Sequence, residues 1–335
     1  MAIEEVKAWF GEEFGDRERR LSSYDQMENF ILASHTDWNI APSTDKIVRK
    51  FEAEIASVSD QELAFLLVHS GYIPETYGAD SSQETLYSKL IEALVKTWAM
   101  RIGFDQSVLP TQKSSKEDIT IADAEGVIVC DAKSYRLGRS QKAPNVKDAL
   151  KQGDIKKWLS AYPPERRIGG LVTFPSQHDW NSGSDFYAYL TDYTSPVMML
   201  FYEHLAFLLL ARISKSKITS FLRGHQSHFP AAHTAKSSNR ALYFAVLDRA
   251  IINTSDLNWA DFSVGADFIV REKASHTKDT LEKFLIADKK AIADHILESQ
   301  LTVEELVKEL SDARFMQKHH NLVRQVVNIK SFRKL

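Results

Sequence analysis

The chain has almost no cysteine. Cys130 stands alone among 335 residues, which excludes an intramolecular disulfide framework and any multi-cysteine zinc site. A lone thiol fits a reducing compartment. Long apolar runs are missing too: no stretch of 18 uncharged apolar residues occurs, so no spanning helix is expected. The strongest run, around Val197–Phe201, stops at Glu203-His204, and the apolar stretch after it ends at Arg212. The opening Met1-Ala-Ile-Glu-Glu-Val brings acids early and lacks a signal-peptide core, so the protein is expected to stay in the cytoplasm. There is no internal repeat, no low-complexity segment and no collagen-like glycine pattern. What remains is 44% hydrophobic and 26% charged residues, a globular mix with enough apolar content for a core.

A net charge of −3 says nothing for a polyanionic partner, but its distribution does. Between Lys133 and Arg167 lie ten basic and three acidic residues, and between Arg212 and Arg249 seven basic residues face Asp248 alone. An acidic body with two basic segments suits a phosphate-binding cleft. Basic segments are also commonly just solvated faces, so charge alone does not decide.

The first third reads as helices. Ser59-Asp-Gln-Glu62 is a capping box, with Gly71 as the C′ residue that closes its helix. Ser81-Ser82 open a longer helix with Leu86, Leu90, Leu94 and Trp98 at core spacing, ended by Gly103. Residues 22–34 and 43–58 fit helices as well. The pattern then changes. Asp118-Ile-Thr-Ile-Ala alternates, Asp123-Ala-Glu-Gly126 is a turn, and Val127–Lys133 is a second strand, giving a β-hairpin. A helix over 146–159, a strand over 168–174, a buried strand over 197–201 and a helix from Glu203 follow. That order describes a mixed α/β core flanked by helices. Residues 224–239 read as a polar loop. Two helices near 278–298 and 302–318, the second opened by the capping box Thr302–Glu305, form a C-terminal cap or a dimer surface. The expected division is an N-terminal helical region (1–75), a core (76–223) and a C-terminal helical region (224–335), packed as one compact unit.

Asp-x-Lys occurs three times, and only Asp131-Ala132-Lys133 follows an apolar strand; Asp154-x-Lys156 and Asp288-x-Lys290 lie in charged helical contexts. In a hairpin turning at 123–126, Asp118 and Asp131 share the open end. Two carboxylates there form an oxygen site for a hard cation such as Mg2+. Residues 131 and 133 point to one face of a strand, so Lys133 reaches the same place. The carbonyl of Ala132 offers a third ligand. Such a site stabilises charge on a phosphodiester oxygen, with Lys133 either orienting water or neutralising the transition state. An ordinary edge-strand ion pair between Asp131 and Lys133 is the competing reading.

Glu117-Asp118…Asp131-Ala-Lys133 resembles the PD-(D/E)xK nuclease core, and Val129–Lys142 resembles the HindIII-type restriction endonucleases. Three further stretches match that family in order: Ser70–Pro74, Ser82–Lys89 and Phe201–Ala206. The resemblance spans roughly residues 60–210. It implies an α/β fold with the mixed-sheet PD-(D/E)xK core. It also implies a homodimeric, Mg2+-dependent type II enzyme of a restriction-modification system. Such an enzyme cuts a short palindrome in double-stranded DNA, AAGCTT being the first site to try, and leaves 5′-phosphate ends. Matched by motif, Asp118 and Asp131 are metal ligands and Lys133 the catalytic lysine. Glu84 is a candidate additional acid, equally readable as a helix N-terminal acid. Residues 106–116 hold no glutamate, so a further acid falls to Glu117 or Glu84 or is missing.

The segment leaving the catalytic strand is rich in donors: Ser134, Tyr135, Arg136, Arg139, Ser140, Gln141, Lys142, Asn145 and Lys147. Arginine to guanine and Gln or Asn to adenine are the favoured major-groove contacts, which makes Arg136, Arg139, Gln141 and Asn145 candidate readers and the lysines phosphate contacts. Arg136 alternatively braces the active-site loop. Lys236 and Asn239 are a second candidate contact. His225, His228 and His233 make a weak metal pattern, Glu203-His204 more simply caps or packs, and Cys130 is a buried strand residue. The competing functions are a structure-selective repair or recombination nuclease and a DNA-binding protein without catalysis.

Overall fold

A computed structural model describes residues 2–110, 116–138, 152–176, 186–229 and 236–333, with backbone alone for 236–238 and 320–333. It forms two compact units, Met1–Thr277 and Lys278–Leu335.

Six helices precede the sheet: α1 (Ala2–Phe10), α2 (Arg17–Tyr24), α3 (Gln26–Ser34), α4 (Thr44–Ala56), α5 (Asp60–Ser70) and α6 (Ser82–Arg101). Ser59 caps α5 in a complete capping box with Glu62, as its spacing requires. Gly71 does follow α5, but its φ is −67°, not left-handed. Glycine is needed there for space: a Cβ would stand 2.7 Å from the Tyr202 ring and 2.8 Å from Pro175. Gly103, after α6, does adopt a positive φ of 109°.

The sheet follows the hairpin. Strands β1 (Ile119–Asp123) and β2 (Gly126–Ala132) pair antiparallel, and β3 (Arg167–Phe174) and β4 (Val197–Phe201) add in parallel, in the order β1-β2-β3-β4. Nearly every strand residue is buried, as expected for strands covered on both faces. Helix α7 (Gln152–Ser160) connects to β3, and α8 (Phe186–Leu190) precedes β4, which runs directly into α9 (Tyr202–Leu210). Helix α9 packs on α5 and is tied to α6 by Trp98, whose Nε1 donates to Leu205 O at 2.8 Å. This mixed α/β core with flanking helices is the expected fold class.

The polar loop expected over 224–239 is a correction. After α10 (Lys215–Arg223) come α11 (His225–His228) and α12 (Lys236–Ala250), so residues at both ends of that stretch are helical. Apolar Phe229, Tyr243 and Leu247 are fully buried and hold these elements to the core, an anchoring that the polar composition concealed. Helix α13 (Trp259–Glu298) begins in the first unit, where Phe262 packs against Trp9 and Phe10 and Glu272 pairs with buried Arg20 at 2.6 Å. It continues into the second unit, which is completed by α14 (Val303–Arg333) behind the Thr302–Glu305 capping box.

Candidate active site

The register Ile119↔Cys130 puts Asp118 across from Asp131 at the open end of the hairpin. Residues directly opposite on antiparallel strands share a face. The Asp118 backbone is fixed by its N–H on Cys130 O (3.0 Å), and its Oδ2 accepts the Ala132 N–H at 3.0 Å. The Asp131 carboxylate lies close enough that its charge opposes ionisation of Asp118. Lys133, two residues on along the same face, places Nζ 2.7 Å from Asp131 Oδ2. Asp118, Asp131 and Lys133 therefore converge as the sequence suggested.

A fourth group was missed. Glu92, from the middle of α6, is only 5% exposed and faces the two aspartates, while both its oxygens accept from Lys89 Nζ (2.7 and 2.8 Å). Burial pushes its carboxyl up to about 7, Lys89 opposing the shift and Asp131 adding to it. Burial likewise raises Asp118, helped by the charges of Glu92 and Asp131 and opposed by Lys133. Three carboxylates and a lysine thus crowd a desolvated space. Glu92 had a legible signal: it is the lone acid among Leu90, Ile91, Ala93, Leu94 and Val95.

Glu84 is placed elsewhere. It stands at the N-terminus of α6, accepts from Asp80 N (2.6 Å) and pairs with Arg136 Nη2 (3.0 Å). Glu84, Ser88 and Glu92 are spaced four apart and share a helix face. They meet, in turn, Arg136, Ser134 (Ser88 Oγ to Ser134 Oγ, 3.4 Å) and the aspartates. The chain leaving β2 therefore runs along α6, and the additional acid beside the pair is Glu92, two turns after the residue that the sequence offered. Glu117 lines the same cleft as Glu92 and Asp118, but its carboxylate is taken by the hydroxyls of Thr120 and Tyr162.

Several candidate DNA contacts have structural partners. The Arg136 guanidinium holds Tyr77 O (2.7 Å) and Pro74 O (3.2 Å) besides Glu84, the contacts of a residue that braces its loop. Tyr135 stacks on Phe174 and bonds through its backbone to Gly71 and Ile73. Asn239 is buried within α12, and Lys236 begins that helix. Arg139, Ser140, Gln141, Lys142, Asn145 and Lys147 lie outside the described residues, as does His233. His225 bonds Leu190 O (3.1 Å) and His228 packs on Phe221. Glu203 accepts from Ser176 Oγ (2.7 Å), and His204 Nδ1 accepts from Phe201 N while its ring stacks on Trp259, so this pair caps and packs. Cys130 is fully buried and burial raises its thiol, which leaves no thiolate to act as a nucleophile.

Beside the acids opens a cleft of about 360 Å³, lined among others by Arg49, Lys89, Glu92, Lys96, Lys116 and Asp118. A larger pocket of about 720 Å³, between Trp9, Asp60 and Asp261, contains none of these groups. Among the described residues no set of three or more His, Cys, Asp or Glu side chains is arranged to hold a metal. The donors still suit a hard divalent ion, because Mg2+ commonly takes one or two carboxylates and completes its shell with water and phosphate oxygens. Asp131 Oδ2 is buried with no hydrogen bond, its one close partner being the Lys133 ammonium. No helix is long and apolar enough to cross a membrane among the described residues.

No curated protein matches the sequence. A family model described as HindIII restriction endonuclease matches residues 35–327, most of the chain, and restriction endonucleases usually use a divalent metal. The hairpin acids and lysine lie inside that match, and the chain belongs to the HindIII restriction endonuclease family, whose members are type II site-specific deoxyribonucleases.

Proposed function

We propose that the protein hydrolyses phosphodiester bonds in a short palindromic site of double-stranded DNA in the presence of Mg2+, as a homodimer in which each copy cuts one strand. The observation that carries this reading is the meeting of Asp118, Asp131 and Lys133 at one buried hairpin end. Asp118, Asp131 and the Ala132 carbonyl would hold the ion. A divalent cation there supplies positive charge against the phosphate oxygens and lowers the pKa of water. Lys133 presents an ammonium to the same face and neutralises charge that builds on the phosphorane oxygens. A water oxygen bonds to phosphorus as the bond to the 3′ oxygen breaks, leaving a 3′ hydroxyl and a 5′ phosphate. Arg139, Gln141 and Asn145 read bases in this proposal, with Lys142 and Lys147 on phosphates.

Plasmid DNA containing AAGCTT, incubated with Mg2+ and with or without EDTA, tests the reading. Discrete metal-dependent fragments support it, a smear points to a structure-selective nuclease, and intact DNA across conditions refutes cleavage. Asp131→Ala and Lys133→Ala should each lower cutting about 100- to 1,000-fold, as loss of a main electrostatic group does. Specific binding should persist, because neither residue is assigned a base contact. Near wild-type cutting by either variant would show the assignment wrong.

A further inference from the structure

Among the described residues, the second compact unit carries many exposed apolar side chains. From Glu282 to Lys318 every residue except Leu301 is exposed. These helices are not uniformly polar. Leu281, Leu285, Ile292 and Ile296 share one face of α13, and Val303, Leu306, Val307 and Leu310 share one face of α14, both at the three- and four-residue spacing of a buried stripe. Leu285 is 62% exposed, Val307 59% and Leu310 53%. Exposed apolar stripes of this kind on two successive helices mark a contact surface. Long helices in water also owe most of their stability to packing such a face.

Charge along α14 selects the occupant. Residues 303–312 contain Glu304, Glu305, Glu309 and Asp312 against Lys308, whereas 313–333 contain Arg314, Lys318, Arg324, Lys330 and Arg333 with no acid. A second α14 laid parallel would set like charge on like. Laid antiparallel, it sets each acidic half on a basic half, and a two-fold axis satisfies both halves at once. We infer that the α13–α14 arm is the dimerisation surface and that its occupant is the antiparallel α14 arm of a second copy of this chain. The inference rests on the proposed palindromic substrate, whose two-fold symmetry calls for two copies.

Sedimentation velocity on the full chain, without DNA or metal, tests the surface. The wild type should sediment at twice the 38.1 kDa chain mass. Leu306→Asp with Leu310→Asp, both exposed in the single chain, should raise the dimer dissociation constant about 100-fold while circular dichroism stays unchanged. Reversing the acidic half (Glu304→Lys, Glu305→Lys, Glu309→Lys) should also weaken the dimer, as should reversing the basic half (Arg314→Glu, Lys318→Glu, Arg324→Glu). Combining both sets should restore it. A monomeric wild type, a dimer indifferent to the leucine changes, or no restoration overturns the inference; binding to anionic vesicles or to DNA through these leucines, in place of self-association, overturns it as well. Its failure is distinguishable from failure of the substrate reading. Palindrome cutting by a dimer that ignores the leucine changes refutes the surface alone, and a leucine-dependent dimer that cuts no palindrome refutes the substrate alone.

Discussion

Tyr202 holds the backbone of Lys133, the lysine to which the proposed chemistry is assigned. The Lys133 N–H donates to Thr173 O at 2.9 Å, and the Lys133 carbonyl accepts from the fully buried Tyr202 hydroxyl at 2.8 Å. That hydroxyl also accepts from Thr173 Oγ1 at 3.3 Å, and its ring fits only because residue 71 has no side chain. Tyr202→Phe removes one hydroxyl and leaves the ring. The lost bond and the unpaired carbonyl together cost about 2 kcal/mol, or a fall in Tm of about 4–8 °C for a unit of this size. Freed backbone also lets the ammonium drift, and a displacement of about 1 Å lowers rates up to about 100-fold. The expected outcome is kcat reduced about 10- to 100-fold with KM and metal-free DNA binding unchanged, measured in steady-state cleavage beside a thermal melt. A variant with lowered Tm but kcat within about twofold of wild type would show that Tyr202 only packs.

Asp118→Asn should abolish cleavage and yet raise the Tm measured in EDTA at pH 8, because the neutral amide still accepts from Ala132 N and no longer repels Asp131 and Glu92; a lowered Tm would count against the crowding argument. Acid stability should follow the buried histidines. Burial pushes His204 down to about 3, against about 6.5 in the unfolded chain, so the unfolded state binds more protons between those values and stability is full above pH 6.5 and lost below it. The loss from His204 alone is about 2 kcal/mol at pH 5, and fully buried His69 shifts in the same direction. Asp118 and Glu92, which burial raises, gain protons over the same range and oppose this loss, so urea midpoints at pH 7 and pH 5 are compared between the wild type and His204→Asn; an equal pH dependence in the two would contradict the burial.

The hairpin was readable because its signals are local: alternation, a turn over 123–126, and an Asp-x-Lys that closes an apolar strand. Asp118 and Asp131 then meet through antiparallel register alone. Strand β4 was readable as an unbroken apolar run bounded by Pro196 and by the polar start of α9. Glu92 was not found because its partners lie about 26 and 39 residues on, and no local pattern tells which turn of a helix meets a strand end. Glu84 attracted attention by its place in a matched segment and turned out to serve the helix start and Arg136. Arg136 shows the same limit: a guanidinium in a donor-rich segment reads as a DNA contact until the carbonyls of Pro74 and Tyr77 are seen around it. The 224–239 stretch failed for another reason. Its composition is that of a loop, but Phe229 and Tyr243 anchor the flanking helices, and burial of aromatics outweighs weak local propensity.

The body of the protein agrees with itself at every level: caps, strand pairing, apolar faces and paired ions all favour one fold. The exception is the place where Asp118, Asp131 and Glu92 face one another out of water. Buried like charges oppose folding, and a carboxylate cluster kept through that cost needs a compensating partner. Lys133 and Lys89 supply part of it, one ammonium to Asp131 and one to Glu92. Among the described residues no ammonium forms an ion pair with Asp118, whose ionised form burial and the neighbouring acids oppose. A divalent cation held by the aspartates, as proposed, would supply the missing charge beside Lys133 and the cleft that α4 and α6 line. On the proposed function, local instability and catalytic readiness would be the same physical feature: the carboxylates that resist ionisation in the free protein would be the ones that reward a cation for binding.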